Sequence, residues 1–253
     1  MHRPTMCSVI VLFRPGHDWP ILWASNRDEM LDRPWTPPAR HWSDRPEVIA
    51  GRDDLAGGTW LGLNDLGVVA GILNRRDSLG PQPGKRSRGE LVLDALDFAD
   101  ASDAVAMLTE LDTNAYRPFN MVVADNTQAF WLRNLGKEVE AFPLTPGVTM
   151  VTAADANDPT SKRIRHFLPL WQAAEPPDPD HNDWTEWQEL LTSREYAPDG
   201  SAFDAMNIIS NSGFGTASSS IIALPGVQWA DRKPIWRFTA GRPDRTPWQV
   251  IKL

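Results

Sequence analysis

The sequence predicts an α+β protein in which two mainly antiparallel sheets lie face to face and helices cover the outer side of each. Along the 253 residues the elements come in groups: strands, two helices, strands, two helices, strands. A doubly wound parallel sheet would instead alternate strand and helix throughout. The run 7–13 is apolar apart from the small Ser8, the pattern of a strand covered on both faces. Turn residues between neighbouring strand runs add hairpins, and hairpins make the pairing antiparallel.

The first hairpin joins runs 7–13 and 21–25 through 14–19, where Pro15, Gly16 and Asp18 are the turn signals. Centring the turn between Gly16 and His17 sets Cys7 opposite Asn26, with Arg27 and Asp28 just past it. Residues 33–54, rich in Pro, Arg and Trp, are expected to form a long ordered loop. Runs 57–63 and 67–73 make a second hairpin around Asn64 and Asp65, followed by a loop over 77–87 marked by Gly80, Pro81, Pro83 and Gly84. Leu91, Leu93, Ala95, Leu96 and Phe98 give 88–98 a helical period, and Ala104, Val105, Leu108 and Leu111 do the same for 100–111. Strands are expected at 119–124, 128–135, 138–142 and 148–152, the first two joined by a turn at Asp125 and Asn126. Asp158 and Pro159 supply an acidic cap and a first-turn proline for a helix running to about Trp171. Residues 175–183 form a loop, 183–191 a further helix, and strands follow at 218–224, 227–230 and 235–239.

At 28.3 kDa, with 42% hydrophobic and 23% charged residues, the chain can build a core without crosslinks. We expect a single domain over 1–253, with 1–6 as a removable N-terminal extension. Met6 followed by the small Cys7 has the form of an initiator. One cysteine excludes an internal disulfide, and a reducing cytoplasmic setting is the simplest context. A net charge of -8 and a pI near 5.1 work against nucleic-acid binding, which needs clustered Lys and Arg. The one basic stretch, 85–88, is expected to be solvated surface. No segment reaches the roughly 20 apolar residues of a membrane span, and 1–5 lack the apolar region of a signal peptide. The twelve tryptophans are expected in the core and in pocket walls, with a stacked planar ligand as the functional alternative.

The chemistry centres on Cys7. As a first residue it would carry a thiol and a free amine together, the minimum equipment for self-contained nucleophilic catalysis. As an internal residue it is a small hydrophobe at a strand edge. A guanidinium cannot act as a base, so Arg27 would favour the thiolate without competing for its proton. Asp28 could hold the α-ammonium or a water, and Asn74 could donate its amide N–H to a tetrahedral oxyanion. The plain alternatives are a charged turn for 26–29 and an ordinary turn residue for Asn74. There is no G-x-S-x-G elbow, no phosphate-binding loop and no dinucleotide fingerprint, so no nucleotide cofactor is expected. His2, His17, His41, His166 and His181 lack metal-ligand spacing, and no metal is expected.

Several segments in order carry a resemblance across nearly the whole chain. They are Met6-Cys7, Ala24 to Glu29 with the tetrapeptide Asn26-Arg27-Asp28-Glu29, Gly51-Arg52-Asp53 and Gly57-Gly58-Thr59-Trp60-Leu61-Gly62. Asn74-Arg75, Ser87-Arg88-Gly89-Glu90-Leu91, Pro118-Phe119-Asn120 and Gly215-Thr216 through Ser218-Ser219 complete the set. The pattern resembles the NRDE family, whose eukaryotic namesakes are the transport and Golgi organisation protein 2 group. The resemblance implies an N-terminal nucleophile (Ntn) hydrolase-like fold, a four-layer α/β/β/α sandwich. More distantly it is similar to the choloylglycine hydrolase and penicillin V acylase group, where an N-terminal Cys is nucleophile and base and an Arg and an Asp support it. On that basis Cys7, Arg27 and Asp28 take those roles and Asn74 the oxyanion role. The activity implied is hydrolysis of a non-peptide carbon–nitrogen amide bond in a small molecule. The alternative implied is a non-catalytic carrier of haem, an apolar planar ligand, or acyl lipid, with His41 and His166 as candidate axial ligands; an inert interaction scaffold is a third. This chain departs from the pattern in three places: Arg27 and Asp28 are adjacent, Thr152-Ala153 replaces a Ser-Asn pair with Asn157 nearby, and Ala217 replaces an Arg of eukaryotic relatives.

Overall fold

The apolar run that starts the chain becomes β1 (Ser8–Phe13), buried at every position because neighbouring strands flank both edges and side chains cover both faces. The computed structural model describes residues 7–229 and 231–253. Period-two alternation divides β1 between two cores: Val9, Val11 and Phe13 point between the sheets, while Ile10 and Leu12 point to a helical layer. β1 lies between β2 (Ile21–Met30) and β10 (Gly147–Val151), and β11 (Phe214–Leu224), β12 (Ile235–Thr239) and β13 (Gln249–Val250) extend the sheet beyond β2.

The second sheet runs in chain order: β3 (Trp35–Ala39), β4 (Val48–Asp53), β5 (Leu61–Asn64), β6 (Val69–Asn74), β7 (Phe119–Ala124), β8 (Ala129–Asn134) and β9 (Val139–Pro143). Every pairing in both sheets is antiparallel. α1 (Gly89–Ala95) and α2 (Ala101–Thr109) cover the outer face of this sheet through Leu91, Val92, Ala104 and Leu108. α3 (Lys162–Ala173) and α4 (Thr185–Thr192) cover the first sheet through Ile164, Phe167, Trp171, Trp187 and Leu191. The result is the α/β/β/α sandwich, with Trp23, Trp131 and Trp236 among the side chains that fill the space between the sheets.

Several local expectations are corrected. The first turn is centred on His17, closed by the Arg14 N–H donating to the Pro20 carbonyl and the His17 N–H to the Arg14 carbonyl. An odd-numbered loop shifts the register by one, so Ser8 and not Cys7 pairs with Asn26, and Cys7 falls level with Arg27. The loop expected over 33–54 contains β3 and β4. Pro37 and Pro38 obscured β3, and they are tolerated because β3 is an edge strand. α3 starts later than Asp158, because Asp158 folds a turn onto the Thr160 N–H and Ser161 supplies the cap to Ile164. Residues 227–229 form a turn on Gly226 and not a strand; Ala230, the rest of that expected strand, lies outside the described residues. β11 begins at Phe214, four residues before the apolar signal, and the two-residue β13 carried no signal at all.

Candidate active site

Arg27 projects from β2 into the space between the sheets and lies against two indole rings. Its guanidinium carbon is 4.3 Å from the Trp60 ring centroid and 5.9 Å from that of Trp35, and the two rings meet edge to face. Trp60 can lie there because residue 51 is glycine: a Cβ at Gly51 would come within 2.5 Å of the ring. Such a pair of rings holds a cation by its attraction to the ring faces, worth about 0.5–2 kcal/mol per contact. The nearest carboxylate oxygen, on Glu29, is 3.9 Å from Nη2, and the buried Nη1 has no hydrogen-bond partner among the described residues. Burial pulls the guanidinium below its ordinary value, with Glu29 acting in the other direction.

Cys7 ends the same strand ladder. Its Sγ accepts a hydrogen bond from the Asp28 N–H at 3.4 Å and donates to the Asp28 carbonyl at 3.5 Å. Burial pushes the thiol up to about 12, and the Asp28 carboxylate adds to the rise, while the Asp28 N–H and the Arg27 charge pull against it. With Met6 attached through an amide, Cys7 is therefore a neutral thiol at pH 7.

The Asp28 side chain points to the opposite face of the sheet, toward α3. There one carboxylate oxygen accepts from Thr216 Oγ1 at 2.6 Å and the other from Arg163 Nη1 at 3.1 Å, in a fully buried pair. Arg163 also donates to the Phe203 carbonyl. Burial raises Asp28 to about 6 in spite of Arg163 and Thr216. A β-bulge at Ala217 accompanies this arrangement: Thr216 pairs with Asp28 and Ser218 with Arg27, so one residue of β11 is extra.

In front of Cys7 opens a cleft of about 510 Å³, lined also by Arg27, Glu29, Trp60 and Asn74. Asn74, the last residue of β6, is half-buried there, and its side chain makes no hydrogen bond among the described residues. The structure thus brings Cys7, Arg27 and Asn74 to one cleft, while Asp28 contributes its main chain to the sulfur and its carboxylate to α3. Lys85 and Arg88 line the cleft half-buried, which corrects the expectation of a solvated basic stretch for those two, while Arg86, which also lines the cleft, is exposed as expected. The cause is a close approach of main chains: a Cβ on Gly58 would lie 2.5 Å from the Gly89 carbonyl carbon, so two glycines let the start of α1 press against the loop before Trp60.

Asn157 turns away from the cleft and accepts from the Met150 N–H, and the Thr152 carbonyl accepts from Asn120. His41 bonds to the Pro37 carbonyl and His166 packs on Phe167; neither lines the cleft. Sequence reasoning missed Trp35, Trp60, Thr216 and Arg163 as supports. Only Trp60 and Thr216 lay within segments that carried the family resemblance.

The family model described as Transport and Golgi organisation 2 matches residues 6–226. The chain is 31% identical to the mouse (Mus musculus) Transport and Golgi organization 2 homolog over 173 residues, which covers 62% of this chain and 60% of that protein. Among solved structures it is similar to a Caenorhabditis elegans ortholog of N-acylethanolamine-hydrolyzing acid amidase. The TM-score is 0.62 at 15% identity, over 97% of this chain and 100% of the other. A mutant of the conjugated bile acid hydrolase from Clostridium perfringens gives a TM-score of 0.58 at 12% identity, over 98% and 97%. At these identities the likeness is one of fold, that of the Ntn hydrolases.

Proposed function

The chain belongs to the Transport and Golgi organisation 2 family, and from that premise we propose that it hydrolyses a non-peptide carbon–nitrogen amide bond with Cys7, as the first residue, for its nucleophile. The observation that carries this reading is the cleft itself, which holds a thiol, a buried guanidinium with one N–H that has no partner among the described residues, and the half-buried side-chain amide of Asn74. A thiol near 12 is inert, so the reading requires a change at the sulfur. Release of the α-amine supplies it: the amide becomes a basic nitrogen on the residue that bears the sulfur, and its protonated form favours the thiolate.

The steps balance. The α-amine takes the thiol proton as Sγ attacks the amide carbonyl, and Asn74 donates an N–H to the oxyanion that forms. Collapse breaks the carbon–nitrogen bond, the α-ammonium returns the proton to the leaving amine, and an acyl thioester remains on Cys7. Water then adds to the thioester carbonyl with the amine as base, releasing the carboxylic acid and restoring the thiol. Arg27 holds positive charge beside the sulfur, and the Asp28 N–H fixes its position. Asp28 supports the site through its main chain, since Thr216 and Arg163 occupy its carboxylate oxygens.

Protein whose chain begins at Cys7, offered an N-acyl-aminocoumarin, is expected to release the fluorescent amine. Cys7→Ala and a chain that retains Met6 are expected to be silent. Equal release by all three would remove the proposal.

A further inference from the structure

The acids and bases that line the Cys7 cleft do not balance, although the chain as a whole is acidic. The acids are already engaged: Asp53 bonds to Arg33, Asp28 to Arg163, and Glu29 lies between Arg27 and Arg33. Arg86 pairs with Glu90. Three cations remain, and no carboxylate pairs with any of them among the described residues. Arg88 donates Nη1 to Ser78 Oγ and the Pro118 carbonyl; Arg117 donates to the Asp77, Leu79 and Gly80 carbonyls; Lys85 donates to the Asn114 carbonyl.

Carbonyl oxygens satisfy these donors without cancelling their charge. The same bonds tie the loop before α1 to the segment 114–118, so the cations are held in place before any ligand arrives. Among the described residues Arg88 Nε and Nη2 have no acceptor, and Cys7 and Glu29 are near enough to act on it electrostatically. Burial and the neighbouring Arg117 bring its guanidinium down to about 10, with Cys7 and Glu29 acting in the other direction. The buried Nη1 of Arg27 is a further unused donor on the same cleft. An excess of one sign of charge in a cleft between low-dielectric walls focuses its field on an incoming ion of the other sign.

We propose that Arg88, Arg117 and Lys85 form an oxyanion-binding subsite, and that the ligand of the Cys7 cleft carries a carboxylate, sulfonate or phosphate on the portion that reaches them. This deepens the amide-hydrolase reading by assigning the charge of the substrate, and rests on that reading only for the amide bond.

The test uses protein beginning at Cys7 with Cys7→Ser, which blocks thioester formation, and measures calorimetric affinity for N-decanoylglycine and for its methyl ester. At low salt the carboxylate is expected to bind at least about tenfold more tightly, a difference of about 1.4 kcal/mol. That preference is expected to shrink to about twofold in Arg117→Gln and in Lys85→Gln, and to persist in Arg245→Gln, which alters a cation outside the cleft. N-decanoyltaurine and decanoyl phosphate in the same assay separate the sulfonate and phosphate forms of the ligand from the carboxylate. Equal affinity for acid and ester, no binding of any of the anions, a preference untouched by both cleft variants, or its loss in Arg245→Gln would each overturn the subsite. Binding with the expected preference but no glycine release by the Cys7 protein would leave the subsite standing and remove the hydrolase reading.

Discussion

The state of one sulfur atom decides what this site can do. In the chain with Met6 attached, Sγ titrates near 12, so its alkylation by iodoacetamide should rise about tenfold per pH unit from pH 7 to 10, following the thiolate fraction. A plateau below pH 9 would contradict that. Arg27→Gln removes the guanidinium that favours the thiolate and is expected to slow alkylation further at each pH; acceleration would show that burial, not charge, was that residue's main effect. The residue types were legible in the sequence: a lone cysteine after a methionine, and an Arg and an Asn at strand ends. Their environment was not. The Trp35 and Trp60 rings on Arg27 come from another sheet, and the direction of the Asp28 carboxylate depends on a register that a one-residue change in turn length reverses.

At the scale of elements, the Asp28–Arg163 pair ties β2 to α3 across the first sheet. Removing one partner of a buried pair leaves the other uncompensated, so Arg163→Met should lower stability by about 3–5 kcal/mol. The double variant with Asp28→Asn should recover part of that loss in urea unfolding; a double variant less stable than Arg163→Met would contradict the pairing. The pair also leaves a pH signature. Asp28 titrates near 6 in the folded protein and near 3.8 when unfolded, so the native state takes up the proton first as the solution is acidified. Its carboxylate form therefore opposes folding above about 6, and this opposition is relieved as pH falls toward 3.8. The stability of wild type relative to Asp28→Asn should grow across that window; a flat difference would show that Arg163 offsets the burial completely. Gly58→Ala tests the other wall of the cleft. Its methyl group would press into Gly89, and a loss of about 1–3 kcal/mol is expected.

For the whole molecule, the sandwich was legible because its strands and helices arrive in blocks and because β1 is apolar at both parities. The first two helices and most strands follow from periodicity, and the third from its capping residues. β3 and β4 did not: Pro37 and Pro38 suit the edge position of β3 and imitate a loop, and β4, an interior strand, ends in the charged Arg52 and Asp53. The sign of the cleft was also hidden. In sequence, 85–88 is a short basic stretch in an acidic chain, and only the fold sets it beside Arg117 and Cys7. Among the described residues no helix is long and apolar enough to cross a membrane. The central claim is that the cleft presents Cys7 as an acyl acceptor once its amine is free, and peptide mass spectrometry after brief exposure to a decanoyl p-nitroanilide tests it most directly. One decanoyl group on the peptide that begins at Cys7, absent from the chain retaining Met6, is the predicted result; an unmodified Cys7, or equal modification of both chains, would contradict it.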